Sequence, residues 1–390
     1  MISDGITIEV NGSRYGGWLS AQVVSGLDQA ATQFALAVTE QYPGGETRVK
    51  PGDFVVVRIG SDVVTCGYVD KTPISYSATD VTHTVSGRSK IADLIDSCIE
   101  VTIADTVTVK KTGGTKSAAP ARFAGVEYRA NGEKLKSAPV VSAPAKVTSE
   151  YHKVDVRESI AALLKPYSIR LRADGVTIQR AEKVSVSIGT RVLDAIKELI
   201  KKSNLVATDD EYGDLVLWSP ANAERAADDI VATKSGERTN VLTGSCDLDY
   251  SDAYSEYKVF GQSDAGKASK NPAAGMNINS LTVTSTILGD RKRSLKIFQS
   301  GQVDQSVVDK RATFEKAYRE GKAVTATYTL AGWRQSDGSL WRKGLLTHVT
   351  DEVVGLDRDV VVSRVTYSLN DSGTITTLEV VPPETFGASE

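Results

Sequence analysis

Alternating apolar and polar residues occur near both ends of this chain, and no other feature limits its possible folds as much. Phe34, Leu36 and Val38 alternate with alanines, and apolar residues alternate with threonines across residues 324–330. A period of two places every second side chain on one face of a strand, so the pattern predicts β-strands. Further strand-like runs separated by turns predict a β unit at each end of the chain. The two units could be structural duplicates, but the sequence contains no repeat strong enough to prove it.

Two segments between these β units have a helical period instead. Asp155 and Glu158 form a start signal like a capping box, and the helix that follows is expected to end before Pro166. Apolar residues share one face again over residues 190–200, which predicts a second helix. The middle of the chain is therefore expected to be an α/β region.

Two other segments of the middle region lack this period. Asp174 and Gly175 are a favoured turn pair, which predicts a short hairpin over residues 169–178. Residues 104–150 are rich in Ala, Ser, Thr, Lys, Gly and Pro and have little to bury, so we expect a polar insertion. This insertion is either an arm that contacts a neighbouring protein or a plain surface loop.

These patterns together predict an α+β fold that is mainly β, in which two similar small β-barrel domains are joined by α/β domains. A chain of 390 residues is long enough for two to four domains. The expected domains are residues 1–95 for the first β-barrel, 96–235 for an α/β domain with the polar insertion at about 104–150, 236–263 with 322–390 for the second β-barrel, and 264–321 for a small α/β insertion or fourth domain.

Composition excludes several classes of protein. Lys and Arg number 46 against 49 Asp and Glu, so a globally basic nucleic-acid binder is disfavoured. No apolar run is long enough to cross a membrane, and the N-terminal residues do not resemble a signal peptide, so no membrane insertion is expected. The three cysteines lie far apart, which argues against a disulfide framework and suits a reducing cytoplasm.

The sequence contains no recognisable set of catalytic residues. The motif G-x-S-x-G of many hydrolases and the zinc motif H-E-x-x-H are both absent, and the chain has only three histidines. We therefore expect no catalytic residue, no metal site and no cofactor, and we expect that the protein is not an enzyme. A pair of carboxylates for glycoside cleavage stays open, because the spacing of such a pair is a three-dimensional property.

Two groups of residues are candidates for a subunit or partner interface. The first is aromatic and consists of Trp18, Trp333 and Trp341, since tryptophan is favoured at interfaces; packing in a core or hairpin is the alternative. The second is the basic run Arg291, Lys292 and Arg293, which could contact phosphates or a partner; a solvated strand edge is the alternative.

A series of short segments resembles the baseplate hub proteins of Mu-like contractile-tailed phages, a family related to the T-even phage hub and to the base of the type VI secretion spike. The segments occur in the family's order along nearly the whole chain. They are YGGW at 15–18, CGYVD at 66–70, VSGRSK at 85–90, SEYKV at 255–259, GW at 332–333, DGSLW at 337–341, VTYSLND at 365–371 and PPETF at 382–386.

This resemblance implies a structural role without a catalytic motif. Family membership implies a homotrimeric ring with pseudo-sixfold symmetry, which joins the hexameric tail tube to the trimeric central spike and leaves a pore for DNA passage without specific binding. The implied partners are further copies of the chain, the central spike protein, the tail tube and neighbouring baseplate proteins. The implied location is the tail baseplate of the virion, after assembly in the cytoplasm of the host bacterium. Two alternatives are a tail-associated cell-wall hydrolase domain and a channel protein that contacts DNA.

Overall fold

A computed structural model gives the fold of the chain. It describes residues 5–39, 49–76, 81–99, 148–179, 181–187, 189–203, 205–237, 239–264, 276–302, 305–371 and 373–386. Most of the predicted insertion at 104–150 lies outside the described residues. The chain divides into a larger unit, residues 1–93, 167–177 and 203–390, and a smaller unit, residues 94–166 and 178–202.

The N-terminal part of the chain is formed by antiparallel strands, as its alternating pattern predicts. Its elements are β1 (Ile6–Val10), β2 (Ser13–Tyr15), β3 (Ser20–Gly26), β4 (Gln33–Thr39), β5 (Phe54–Ile59), β6 (Asp62–Lys71), β7 (Ile74–Tyr76), β8 (Val81–Ser89) and the short helix α1 (Ala92–Asp96). In β5, Val55, Val57 and Ile59 are fully buried and the residues between them are not, so one face of the strand packs on a core.

The smaller unit contains one strand pair and the two predicted helices. Its main elements are β9 (Thr148–Val154), α2 (Val156–Leu164), β11 (Ala181–Ser187) and α3 (Val192–Ile200), and β9 pairs with β11 in antiparallel orientation. The side chain of Asp155 accepts a hydrogen bond from the Glu158 N–H at 3.2 Å, which confirms the predicted helix start. Helix α3 buries Ile196 and Leu199 on its predicted apolar face.

The hairpin predicted over residues 169–178 is wrong. The larger unit contains β10 (Leu171–Arg172), β12 (Val206–Asp209), β13 (Leu215–Trp218) and β14 (Ile230–Ala232). Strand β10 pairs in parallel with β13, and Leu171 lies opposite Leu215. Gly175 does adopt the positive φ of a turn. The turn exists, but the chain before it finds its strand partner in the apolar β13, whose Leu215 and Leu217 are completely buried.

The C-terminal part repeats the β architecture and carries an inserted sheet and helix. Its elements are β15 (Val241–Leu248), β16 (Glu256–Asp264), β17 (Met276–Thr284), β18 (Ser294–Gln302), α4 (Gln305–Lys322), β19 (Val324–Ala331), β20 (Leu346–Asp351), β21 (Leu356–Asn370) and β22 (Gly373–Val381). Strands β17, β16 and β18 form a separate three-stranded sheet, and Val308 and Ala312 of α4 pack on its Val259. This insertion therefore begins with β16, earlier than the expected residue 264.

One large sheet contains both of the expected β units. Its order runs β15-β19-β22-β21-β3-β4-β8-β6-β5-β1-β2, and β7, β14 and β20 pair beside this path. The two parts meet where β21 pairs with β3 in antiparallel orientation, with Tyr367 opposite Val23. A continuous apolar core reaches from Ile8 and Leu36 to Tyr328 and Val365. The mainly β, α+β fold class is confirmed, and closure of each part into a barrel stays a prediction.

The strand pairings reveal that the two parts are duplicates. The pairs β3–β4, β4–β8, β5–β6 and β6–β8 match the pairs β15–β19, β19–β22, β20–β21 and β21–β22. Ile74 lies opposite His83, and Tyr367 lies opposite Thr376; each residue of the second pair comes 293 positions after its counterpart. We call residues 20–89 the N-terminal β unit, and residues 241–248 with 324–381 the C-terminal β unit.

Candidate assembly surface

The three tryptophans proposed for an interface lie inside the larger unit. Trp18, Trp333 and Trp341 are all buried in the main apolar core. The indole N–H of Trp333 lies 3.2 Å from the Ser368 carbonyl oxygen and 3.1 Å from that of Ile375, so it ties the ring to β21 and β22. The structure therefore favours the packing alternative, and a subunit contact through these rings stays a prediction.

The basic run has one structural member and two exposed members. The guanidinium of Arg293 donates to the Tyr250 carbonyl at 3.2 Å and to the Ser251 carbonyl at 2.7 Å. Arg291 and Lys292 are exposed, immediately before β18, whose one strand partner among the described residues is β16. This arrangement fits the solvated strand edge, since cations at an edge discourage further pairing. A role in partner binding remains untested.

A buried charged group joins the two β units. Asp209 accepts hydrogen bonds from the Thr32 N–H at 2.8 Å and the Thr32 hydroxyl at 3.1 Å, and it forms an ion pair with Lys343. Lys343 also donates to the Thr208 hydroxyl at 2.7 Å. A buried carboxylate needs such partners because it has lost its water. Sequence reasoning missed this cluster, since its members lie far apart along the chain and form no motif.

A second charged cluster fixes β13 to the N-terminal β unit. Asp214 accepts from the Arg170 N–H at 3.2 Å and from Arg170 Nε at 2.8 Å, and it pairs with Lys90 at 3.4 Å. Burial alone would raise the pKa of Asp214, but the hydrogen bond from Arg170 and the charge of Lys90 outweigh it and lower the pKa. The carboxylate therefore stays charged and serves as a structural link.

Metal ligands, membrane-spanning helices, reactive thiols and cavities are the other candidate features of the described residues. These residues contain no group of three His, Cys, Asp or Glu side chains that could hold a metal ion, and no described helix is long and apolar enough to cross a membrane. Burial raises the pKa of the Cys66 thiol to about 11, so this group is protonated near neutral pH and is a poor nucleophile. An open depression of about 540 Å³ beside β4 and β8 is lined by polar residues together with Val24, Phe34 and Ala35, and Arg88 already binds Asp70 there at 2.7 Å.

Four strands of the large sheet, β2, β7, β14 and β15, have a strand partner on one side only within the described part of the chain, and β7 and β15 stand out among them. Strand β15 pairs with β19, and β7 pairs with β8. Both expose large apolar side chains: Ile74 and Tyr76 on β7, and Leu242 and Leu248 on β15, are each more than half exposed. Unpaired strand edges offer N–H and C=O groups to another chain, and exposed apolar side chains mark interaction surfaces. These two open edges are the candidate assembly surface.

Three family models match separate parts of the chain. The Mu phage baseplate assembly protein GpP-like N-terminal domain matches residues 5–89, and the second domain of the gp44-like baseplate hub protein matches residues 140–219. The fourth domain of the Mu phage baseplate assembly protein GpP matches residues 305–389. The matches fall in chain order and include both β units in part or in full.

Individual proteins match over almost the whole chain. The baseplate hub protein gp44 of Escherichia phage Mu is 27% identical over 389 residues, which cover 99% of this chain and 89% of that protein. The 43 kDa tail protein of prophage MuSo2 from Shewanella oneidensis superposes with a TM-score of 0.73 at 22% identity, covering 99% of this chain and all of that one. The E. coli c3393 protein, a type VI secretion component, has a TM-score of 0.51 at 9% identity, covering 98% and 79% of the two chains. The two structural matches show a shared fold.

Proposed function

Since the chain belongs to the baseplate hub proteins of Mu-like phages, we propose that three copies form a ring in a contractile-tail baseplate. The ring joins the hexameric tail tube to the trimeric central spike and leaves a pore through which DNA passes without specific binding. Its working location is the virion tail, after assembly in the cytoplasm of the host bacterium. The chain acts through its surfaces, without a cofactor and without catalysis.

The duplicated β unit carries this proposal. Each chain contains two units with the same strand pairings, joined in one sheet through β3 and β21. A ring of three chains therefore contains six such units and has pseudo-sixfold symmetry on the face where they lie. The same ring keeps true threefold symmetry, so it can adapt a sixfold tube to a threefold spike. A single-unit chain could match only one of these symmetries as a trimer.

Two other functions make different predictions. A cell-wall hydrolase domain requires hydrolysis of peptidoglycan by the purified chain, and a DNA-contacting channel requires DNA binding that weakens as salt rises. The exposed Arg291 and Lys292 motivate the second function. We expect no hydrolysis, because the sequence contains no recognisable set of catalytic residues. We expect no specific DNA binding, because the pore of a hub must release what passes through it.

The mass of the protein in solution tests the ring. Light scattering across a concentration series should find a species at three times 41.7 kDa, which is about 125 kDa. If the chain alone stays at 41.7 kDa, the measurement is repeated with the central spike protein added. A chain that remains monomeric in both conditions would contradict the ring.

A further inference from the structure

The open edges of β7 and β15 correspond to the two strands that pair inside the chain. Strand β7 and the end of β6 have β21 as their counterpart, because Ile74 and Tyr367 occupy the same position in the duplicated pairings. Strand β15 has β3 as its counterpart: Val23 reaches Gly87 through its partner on β4, and Cys246 reaches Val380 through its partner on β19. Inside the chain β21 and β3 are joined, whereas β7 and β15 are both open.

The internal junction therefore defines a register for the open edges. Within the chain, Tyr367 lies opposite Val23 and Leu369 lies opposite Ala21. Replacing each residue by its counterpart places Ile74 opposite Cys246, with the strands antiparallel. The same shift gives three further pairs, which are Tyr76 with Gly244, Ser75 with Ser245, and Lys71 with Asp249.

The backbone hydrogen bonds agree with this register. Thr84 N–H donates to the Pro73 carbonyl at 3.0 Å, so residue 73 points toward β8 and the main-chain groups of residues 72, 74 and 76 point to the open edge. Asp249 N–H donates to the Ala323 carbonyl at 2.9 Å, so residues 244, 246 and 248 point to the open edge of β15. In the proposed register, each residue whose main-chain groups point to the open edge of β7 lies opposite a residue whose main-chain groups point to the open edge of β15. Pro73 has no N–H, but its main-chain groups face β8, so the junction loses no hydrogen bond there.

The side chains at the two edges are complementary. Tyr367 is only 3% exposed at the internal junction, whereas its counterpart Ile74 is 58% exposed and Tyr76 is 82% exposed. The register places these large side chains opposite Cys246 and Gly244, which are small. Lys71 lies opposite Asp249, so the charged ends of the two edges attract each other. The edges thus have the pattern of an interior strand pair that the single chain leaves incomplete.

We propose that β15 of one copy pairs with residues 71–76 of the next copy, in the register that places Ile74 opposite Cys246. This inference rests on the proposed ring and deepens it, because it assigns the strands that close the ring. Each junction between chains repeats the junction that β21 and β3 make within a chain. Six equivalent junctions, three within chains and three between them, then form one continuous closed sheet.

A cross-link between chains tests the register. Ser75 and Ser245 lie opposite each other in it as a pair without direct hydrogen bonds, for which the Cα atoms are about 4.5 Å apart, within the range of a disulfide. The full-length variant carries Ser75→Cys and Ser245→Cys, with exposed Cys98 replaced by serine. Mild oxidation should give dimers and covalently closed trimers on a non-reducing gel. The matched control moves the second cysteine two positions, to Thr243→Cys, and should link far less.

The outcomes separate this proposal from the ring itself. The cross-link is measured in the condition in which light scattering finds the trimer. A trimer in which the Ser75 and Ser245 variant does not link, or links no better than the control, overturns the register and leaves the ring intact. A chain that is monomeric in every condition and forms no cross-link overturns both.

A second pair of variants tests the same edge without cysteine chemistry. Ile74→Lys places a charge where the register buries an apolar side chain, so we expect the dissociation constant of the trimer to rise at least tenfold. Val353→Lys is the matched control, because Val353 is 66% exposed in the turn after β20 and lies outside β7 and β15. Circular dichroism of both variants checks that the monomers are folded. Equal trimer stability in the two variants would contradict the proposal.

Discussion

The two β units make the same strand pairings with different side chains. In the N-terminal unit Phe34 lies opposite Gly87, and at the same place in the C-terminal unit Ala326 lies opposite Val380. The N-terminal unit thus places a large phenylalanine ring opposite a glycine, which has no side chain. The C-terminal unit fills the same place with two smaller side chains, an alanine and a valine. Interiors are packed to a similar density, so volume can move across a strand pair as long as the pair fills its space. The register is the shared property of the two units, and side-chain identity is not.

The units also differ in what they insert between their first two strands. A short connection of six residues, 27–32, joins β3 to β4, whereas β15 and β19 are separated by a whole sheet and helix α4. Both pairs nevertheless have an antiparallel register in which the counterparts Val23 and Cys246 lie opposite Phe34 and Ala326. The cost of closing a longer loop grows only slowly with its length, so a strand pair with a strong apolar face tolerates such an insertion.

Exchanging the counterparts at this position should produce the largest difference between the units. A Cβ atom at Gly87 would lie 2.0 Å from the Tyr68 carbonyl oxygen and 2.6 Å from the Phe34 ring, so Gly87→Val forces β6 and β8 apart. We expect it to lower the free energy of unfolding by about 5 kcal/mol or more. The converse Val380→Gly should lower the free energy of unfolding by only about 2–4 kcal/mol. It leaves a cavity, and glycine gives the unfolded chain more conformational freedom. Urea unfolding of both variants measures the difference.

The outcome has a clear interpretation. If Gly87→Val is tolerated as well as Val380→Gly, then strands β6 and β8 are no closer than β21 and β22, and the two units are more alike than the structure indicates. Gly12→Ala is a useful control for the cost of a side chain at a glycine that has open space around it. It has a positive φ of 77°, so it reports backbone strain without a steric clash.

The link between the units should give the next largest effect. Lys343 and Thr32, one near each β unit, meet at the buried Asp209. Lys343→Met keeps the length of the side chain but leaves the carboxylate without its cation, so we expect a loss of about 3–5 kcal/mol in the free energy of unfolding. Thermal and urea unfolding measure this loss, and adding Asp209→Asn to Lys343→Met should recover part of it.

An exposed ion pair provides the comparison for this buried one. Arg225 binds Asp359 at 3.1 Å on the surface, and both side chains are well exposed. Arg225→Met should leave the free energy of unfolding nearly unchanged, because water and salt screen such a pair. An equally small loss in Lys343→Met would show that the Asp209 carboxylate is solvated in the folded chain.

Local patterns were sufficient for the strands and helices but not for their arrangement. Alternation predicted β19, and a capping signal predicted the start of α2 at Asp155. The hairpin over residues 169–178 was wrong because Leu171 pairs with Leu215, a partner that no local pattern identifies. Pairing between distant strands depends on which apolar faces remain to be covered after the local elements have formed.

The candidate assembly surface was harder to predict for the same reason. Tryptophans attracted attention as interface residues, but Trp333 and Trp341 are needed to fill the core beside β21. Ile74 and Tyr76 carry no motif, and only the finished sheet reveals that their edge is open while the counterpart edge is covered. The duplication itself was visible only in the strand register, since the two units fill the same positions with different residues.

Removing the buried hydroxyl of Tyr328, whose counterpart in the N-terminal unit is a leucine, should have a smaller effect. Tyr328 donates its hydroxyl to Asp351 at 3.0 Å, whereas its counterpart Leu36 has no polar group. Burial and the hydrogen bond to Asp351 raise the pKa of Tyr328, so the phenol stays protonated. Tyr328→Phe should lower the free energy of unfolding by about 1 kcal/mol, because Asp351 keeps its hydrogen bond from the Val353 N–H. A cost near that of Lys343→Met would mean that the hydroxyl also supports the loop after β20.

The smallest effect concerns a surface histidine of the C-terminal unit. His348 contacts Asp359 and Asp357 at 2.9 Å each, and these hydrogen bonds raise its pKa. A raised pKa means that the folded state holds the proton more tightly than the unfolded state, so the stabilisation is complete below the ordinary pKa of about 6.5. It is lost as the pH rises through the raised value. Titration of the ring protons by NMR should give a pKa above 6.5, and Asp359→Asn should lower it. A value at or below 6.5 would mean that the carboxylates are solvated and that this strand surface, unlike the interior, is not organised by its charges.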